Sequence, residues 1–444
     1  MNEGALQGAV LTEDAVPHSS AMANATYRRI TWRLIPFLFV CYVAAYLDRI
    51  NIGYAQIQMR SDLGFSDAVY GLGAGIFFAG YFLFEVPSNL ILERIGARKT
   101  LIRIMLLWGL TSAGMMFVKS PTAFYVMRFM LGVFEAGFFP GMIFYLTCWY
   151  PAARRGRVMA LFLTAVAMAG VLGGPVSGWA LNRLDGVHGL QGWQWLFLVE
   201  GLPSCLLGIA AFFYLDDNPR EARWLSDAER AVVLHELDRE RDASSLFERH
   251  GFGGALRSGR IYALALVWFT FICGVYAISF WLPALIRGAG VTDAYSIGML
   301  SAIPYGVAAL TMVLVSRHSD RTRERRWHTA GCALIGAAAL SAIAGTGSDL
   351  WLALACISVA TACIFTLQPL FWAIVTDFLA GTRAAAGTIA FINSLGLLGG
   401  FASPSMLGFV KTVTGSLNNG LFVVSALIVV GALITLGSAG RPVR

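Results

Sequence analysis

Six ionisable side chains interrupt stretches that are otherwise apolar: Asp48 and Arg49, Glu85, Arg128 and Glu135, and Glu200. A charge at mid-bilayer costs about 2.5–3.5 kcal/mol even on a mild insertion scale, so such residues are functional candidates by default. Arg128 and Glu135 stand seven positions apart on one face of a helix, about 10 Å from each other along its axis. Asp48 falls at a depth between them, so two helices can bring two carboxylates and two guanidiniums to one cavity. A carboxylate balanced between burial and a neighbouring arginine can take up and release a proton. An arginine offers a forked, permanently charged donor suited to a substrate carboxylate. The plain alternative is a set of permanent structural ion pairs. For Glu85, in Phe84-Glu85-Val86-Pro87-Ser88-Asn89, and for Glu200, ahead of Gly201-Leu202-Pro203, the simpler reading is a partner for backbone freed by a proline. The later part of the chain offers neutral groups at span positions: Tyr276, Trp281, Tyr305, Gln368, Trp372 and Asn393.

The elements that must hold these residues are membrane helices. Of the 444 residues 57% are hydrophobic and 13% charged, with mean hydropathy +0.66, against roughly 25% charged in a soluble domain. Stretches of about twenty residues predict twelve spans near 33–56, 69–92, 100–118, 122–148, 157–182, 193–215, 261–286, 296–316, 328–346, 350–375, 384–411 and 418–438. Under this alternation 26 of the 33 basic residues fall in one set of loops, while the other set holds only Arg60, Lys119, Arg183, Arg287 and Lys411. That bias puts both termini in the cytoplasm of a multi-pass protein of the cell's inner (plasma) membrane. The pI near 9.1 therefore reports topology and not a nucleic-acid partner. The first apolar block is too long for the core of a signal peptide and reads as a retained first span. The seven cysteines lie in or beside apolar blocks without metal spacing, and the six histidines scatter over tail and loops, so no metal and no cofactor is expected.

The predicted organisation is a cytoplasmic tail (1–32), a six-helix half (33–215), a cytoplasmic linker (216–260), a second six-helix half (261–438) and a short cytoplasmic tail (439–444). In the linker, Ser226-x-x-Glu229 has capping-box spacing and should start a helix running to about Arg241; its mixed charges predict a solvated face. An offset of 226 lays Gly170-xxx-Gly174-xxx-Gly178 over Gly396-xxx-Gly400-xxx-Pro404, and Arg157 over Arg383. The fold class is thus an all-α polytopic membrane protein whose twelve transmembrane helices form two six-helix pseudo-repeats, an arrangement suited to rocking around a site between the halves. The small-residue ladders read first as close helix packing. The basic turn with Glu93, Arg94 and Arg98 is echoed by Asp320 and Arg321; both turns fall on the cytoplasmic side, where acid–arginine pairs can gate access.

Tyr46-Leu47-Asp48-Arg49-Ile50-Asn51-Ile52-Gly53, the Phe84 to Asn89 motif, Arg128 with Glu135-Ala136-Gly137-Phe138-Phe139-Pro140-Gly141, Gly192-Trp193-Gln194-Trp195-Leu196-Phe197 and Phe280-Trp281-Leu282-Pro283 together resemble the anion:cation symporter family of the major facilitator superfamily. The resemblance runs from about Ile30 to the last span. It implies the major facilitator fold and bacterial relatives that import tartrate, phthalate, sugar acids or hydroxyphenylacetate with protons. It implies Asp48 and Glu135 as proton-coupling carboxylates, Arg49, Tyr81 and Asn393 as substrate contacts with Tyr46 and Trp372 beside them, and Arg128 as the substrate-site arginine that pairs with Glu135. Two departures matter. The turn after span 2 carries Ser88-Asn89 and Glu93 where the superfamily usually has Gly and Asp. Span 5 reads Thr164-Ala165-Val166-Ala167-Met168-Ala169 where similar sugar-acid carriers place a glutamine, which leans toward an aromatic or less hydroxylated carboxylate.

The reading is a secondary active transporter, functional as a monomer, that imports a small organic anion with protons. Alternatives are an exporter or exchanger on the same site and a non-transporting receptor, which would have no need of titratable carboxylates. A membrane enzyme would need a nucleophile or metal cluster that the sequence does not offer.

Overall fold

The computed structural model describes residues 15–245, 258–379 and 385–438. Residues 1–14 of the N-terminal tail, 246–257 in the linker, the 380–384 turn with Arg383 and the whole 439–444 tail lie outside that description, as does the side chain of Glu93. Twelve segments are long and apolar enough to cross a bilayer, and no strand occurs among the described residues. Spans 1 to 3 are α1 (Ala15–Leu63), α2 (Asp67–Ile95) and α3 (Ala97–Gly114); span 4 is α4 (Pro121–Glu135) with α5 (Phe138–Trp149). Spans 5 and 6 are α6 (Ala152–Arg183) and α7 (Gly192–Tyr214), and α8 (Asp227–Ser245) belongs to the linker. Spans 7 to 12 are α9 (Gly259–Gly288), α10 (Ala294–Thr322), α11 (Arg326–Ala342), α12 (Leu350–Leu379), α13 (Ala385–Thr414) and α14 (Leu417–Ser438).

Polar caps fix where helices start on the face opposite the linker, here called the far face. Ser66 accepts from Val69 N, Ser120 from Ala123 N ahead of Pro121, and Asp293 from Ser296 N, while Gln191 and Gln194 form a capping box. Each satisfies donors that a helix start leaves unpaired.

Two local expectations change. The first helix continues the first span backwards to Ala15, through most of the expected tail. Span 4 is not one helix over 122–148: α4 ends at Glu135, Gly137 takes a left-handed turn (φ +87), and α5 starts at Phe138. Pro140 in the first turn of α5 has no N–H to return to the preceding segment, and glycine alone adopts that φ without strain. The proline beside Glu200 does not interrupt its helix, since α7 runs through Pro203.

The linker is also less solvated than its charges suggest. The capping box forms, with Ser226 N donating to Glu229 Oε2 at 2.9 Å and Glu229 N to Ser226 Oγ at 3.2 Å. Backbone N–H of Ser226 and the Arg29 guanidinium hold the Glu229 carboxyl below the usual range. Glu229 pairs with Arg29 at 2.9 Å and Glu236 with Arg154 at 3.3 Å. Trp224 stacks on Trp149, and Arg33 lies 4.8 Å from the ring centres of both Tyr214 and Trp224. The α8 segment is thereby fastened to the first half.

The described hydrogen bonds that join the halves gather between mid-span and the far face. Tyr70 and Gln56 donate to Phe280 O at 2.8 and 2.9 Å, Arg287 to Ile57 O at 2.9 Å, and Asn182 to Asp293 at 2.8 Å. Asp67 bridges Arg60 and, across the halves, Lys411 at 2.6 and 3.0 Å. Gly174 of span 5 lies so close to span 8 that a Cβ there would stand 2.2 Å from Gly298 O. The glycine ladder in span 5 is therefore part of the joint between halves. The far face is closed.

Candidate functional site

Arg49 of span 1 and Glu135, the last residue of α4, form an ion pair at the level where span 4 breaks. Both Nε and Nη2 of Arg49 donate to Glu135 Oε1. The Glu135 side chain is fully buried, whereas that of Arg49 keeps 12% of its surface exposed. The second carboxylate oxygen, Glu135 Oε2, is buried without a partner. Nη1 of Arg49 reaches across to the other half, donating to the Tyr276 hydroxyl of span 7 at 3.2 Å. Aromatic faces enclose the guanidinium, with Phe77 and Tyr81 each 5.5 Å and Tyr46 6.0 Å from it. Such faces favour a cation while excluding water. The arrangement suits a small carboxylate: a forked donor with one acidic partner that a proton can neutralise.

The other expected residues are placed differently. Arg128 does not pair with Glu135. Its Nε donates to Gly73 O at 3.1 Å and its Nη2 to Ala74 O at 3.3 Å in span 2, and Nη1 is buried without a partner. The Phe77 ring lies 5.5 Å from the Arg49 and 5.2 Å from the Arg128 guanidinium, so both cations approach one aromatic ring. Asp48 does not share the Arg49–Glu135 site either. Adjacent helical residues point about 100° apart, so with Arg49 facing span 4, Asp48 faces spans 3 and 6. There, fully buried, it accepts from Ser112 (2.7 Å), Trp108 Nε1 (2.7 Å) and Ser204 (2.8 Å), with Asn51 at 3.4 Å.

In the second half, Trp372 stands edge-on to Trp268 at 5.1 Å beside Phe371. Asn393 is half-buried on span 11. At the linker face the first turn bonds to its own half and the start of the linker, and the second turn bonds within its own half. Arg98 N donates to Asp217 Oδ1 at 2.7 Å and its Nε to Phe212 O. Asp320 pairs with Arg325 at 2.6 Å, and Arg325 also with Asp377 at 2.7 Å. Arg94 and Arg321 are exposed. Sequence reasoning missed Phe77, the ring that both arginines approach, and Tyr42, which stacks on Phe162 at 4.7 Å beside the site. It also missed Asp377. A tyrosine and phenylalanines in apolar spans carry no signal that separates lining from packing.

Comparison with known proteins agrees with this architecture. The chain is 47% identical over 424 residues, 96% of its length and 93% of the relative's, to an Agrobacterium vitis protein named "Putative tartrate transporter". It is 45% identical over 95% of its length and 96% of the relative's to the Pseudomonas putida protein named "Putative metabolite transport protein NicT". Among solved structures, a bacterial homolog of the human lysosomal transporter Spinster, inward-facing and occupied, superposes with TM-score 0.76 at 17% identity, covering 92% of this chain and 97% of that one. The sequence profile described as Major Facilitator Superfamily matches residues 38–404. With twelve membrane-length helices and relatives named as transporters along nearly its whole length, the chain belongs to the Major Facilitator Superfamily.

Proposed function

We propose that the protein imports a small organic carboxylate by proton symport across the inner membrane, the halves 33–215 and 261–438 rocking about the Arg49 site. One observation carries this reading: Arg49 is held between a buried carboxylate, Glu135, with an unused oxygen and a hydroxyl of the opposite half, Tyr276. A proton on Glu135 releases two guanidinium donors, and a substrate carboxylate replaces the lost charge. Either event alone leaves a buried charge unpaired, which costs several kcal/mol, so the two occur together. Asp48 is the second proton site, and Tyr46, Tyr81, Trp372 and Asn393 surround the rest of the substrate. The coupling ion is H+ and no other cofactor is needed. One chain supplies both halves, so a monomer suffices. The loop-charge bias supports a cytoplasmic linker face, and in that orientation closure at the far face corresponds to the inward-facing state of the cycle. The tartrate in one relative's name supports a carboxylate. Relatives also include an Acinetobacter baumannii "Quinolone resistance transporter", 40% identical over 92% of the chain, which favours export as the second reading.

Proteoliposomes with an imposed pH gradient separate the readings. Uptake of a labelled carboxylate above its equilibrium level, collapsed by a protonophore, is expected; accumulation that ignores the gradient, or extrusion alone, overturns the proposal. Replacing Arg49 with Lys should weaken carboxylate binding by about 1.5–3 kcal/mol, on the order of tenfold or more in dissociation constant. A point charge cannot reproduce a forked contact. Ligand-induced thermal stabilisation measures this, and an unchanged shift in Arg49→Lys would leave Arg49 a structural partner.

The linker-face turns form the inner gate in this scheme. The ion pairs of the second turn and the hydrogen bonds of the first join no residue of the opposite half in the present conformation, and they exchange for contacts between halves when the carrier faces outward. Exposed pairs are weak, about 0–1 kcal/mol, which suits a gate that opens every cycle. Asp320→Lys should raise the inward-open population, seen as faster labelling of a cysteine engineered in the cytoplasmic vestibule. Equal labelling with transport intact removes Asp320 from the gate.

A further inference from the structure

Three of the five basic residues that the loop-charge bias leaves on the far face, Arg60, Arg287 and Lys411, line one cavity of about 300 Å³. The cavity lies on the seam between the halves: span 1 supplies Gln56, Ile57 and Arg60, span 7 supplies Arg287 and Gly288, and span 11 supplies Lys411. Among the described residues one carboxylate pairs with these cations, Asp67, 2.6 Å from Arg60 Nη1 and 3.0 Å from Lys411 Nζ. Arg287 donates Nη1 to Ile57 O at 2.9 Å and has no described carboxylate within ion-pair distance. Three cations therefore face one anion. The Arg60 and Lys411 side chains keep 27% and 25% of their surface and Arg287 is exposed, so ions reach them from the far side. Each of the three stands in the last turn of its helix, where terminal carbonyls favour a cation and offset part of its charge. That accounts for each residue singly. It does not account for their convergence, from both halves, on a space wide enough for a small molecule.

We propose that this cavity is a far-face oxyanion site, separate from the Arg49 site, in which a carboxylate or phosphate group bridges Arg60 to Arg287 and Lys411 and holds the far face closed. A cleft lined by one sign of charge concentrates counter-ions, and guanidinium forks fit oxyanions. Closure brings cations of both halves onto the seam, and opening separates them, so the anion binds the closed form better. A ligand with that preference shifts the population toward the closed form. The inference rests on the alternating-access part of the functional reading and on neither its substrate nor its coupling ion.

The test uses the purified full chain with Ser405→Cys, at the span 2 to span 11 contact of the far face, and its native cysteines replaced. Inorganic phosphate is compared with chloride at equal ionic strength. An anion that binds only the closed form multiplies the closed-to-open ratio by about three at twice its dissociation constant. Labelling of Ser405→Cys should slow by about that factor with phosphate and not with chloride, and phosphate should raise the melting temperature. Both effects should vanish in Arg287→Gln and in Lys411→Gln and survive in Arg49→Lys. Each is read as a ratio with and without phosphate, so a changed baseline does not count. Nanodiscs of phosphatidylglycerol in place of phosphatidylcholine, without phosphate, identify the source: slowing there alone, again lost in Arg287→Gln, makes the oxyanion a lipid headgroup at the same site. Equal slowing by chloride, or a phosphate effect that persists in both glutamine variants, would overturn the proposal. Loss of the effect in Arg49→Lys would overturn it by moving the anion to the central site. Stabilisation without slowed labelling would overturn it too, leaving an anion that does not hold the face closed. Failure of the alternating-access reading shows separately, as labelling that Gly174→Val does not change either.

Discussion

Glu135→Gln is expected to abolish accumulation of substrate against a gradient while leaving binding in place, the thermal stability lost by the substrate-free protein being restored when substrate binds. The amide keeps an acceptor oxygen for Arg49, so the guanidinium remains oriented between span 4 and Tyr276. What it lacks is the second protonation state. Arg49 is then permanently in the condition that proton binding creates in the native protein, with its charge available to a substrate carboxylate. Binding should hold or tighten and lose its pH dependence, and counterflow of labelled for unlabelled substrate should continue. Net gradient-driven uptake should fall to the equilibrium level. This combination distinguishes a coupling residue from a structural one, because removing half of a buried structural ion pair typically costs about 3–5 kcal/mol and would appear as lost thermal stability with binding lost alongside. Undiminished concentrative uptake in Glu135→Gln would end the role proposed for it.

The membrane architecture was legible because the bilayer imposes its own length and polarity on each span. A window of about twenty apolar residues is a requirement of hydrocarbon thickness, and backbone hydrogen bonds must close within the segment. The twelve expected spans accordingly meet twelve membrane-length helices. The candidate site was legible as a set of residue types and less so as a set of pairs. Seven-residue spacing rightly places Arg128 and Glu135 on one helix face. It says nothing of the span 2 carbonyls of Gly73 and Ala74 that receive Arg128, nor of the Phe77 ring that both guanidiniums approach. Likewise, helical geometry dictates that Asp48 and Arg49 face apart, but not which of them faces the opposite half. That is decided by tertiary partners: Trp108, Ser112 and Ser204 receive the carboxylate, and span 4 receives the guanidinium. The break in span 4 had a local signal in Gly137 with Pro140 three residues on, which the unbroken hydropathy of the segment masked.

Gly174→Val should drive the carrier away from the conformation described here. The joint between spans 5 and 8 closes backbone against backbone, with a Cβ at Gly174 falling 2.2 Å from Gly298 O and one at Gly178 falling 2.8 Å from Ala294 O. The nearest atom in each case is a backbone carbonyl oxygen that cannot swing aside, so span 8 must withdraw and the far face cannot close. Overpacking of a tight joint costs about 1–3 kcal/mol, which shifts a two-state equilibrium by about 5- to 150-fold. The penalty falls only on the state closed at the far face, so the open alternative gains population. The readout is labelling of Ser405→Cys, at the span 2 to span 11 contact of the same face, from outside the membrane in a background whose native cysteines have been replaced. Faster labelling is expected with Gly174→Val, together with transport reduced about as strongly as the inward-open population. Gly156→Val, on the same helix where a Cβ meets open space, should leave both unchanged. If Gly174→Val labels like the parent, span 5 does not move against span 8, and rocking at this joint would have to be abandoned as the route of access.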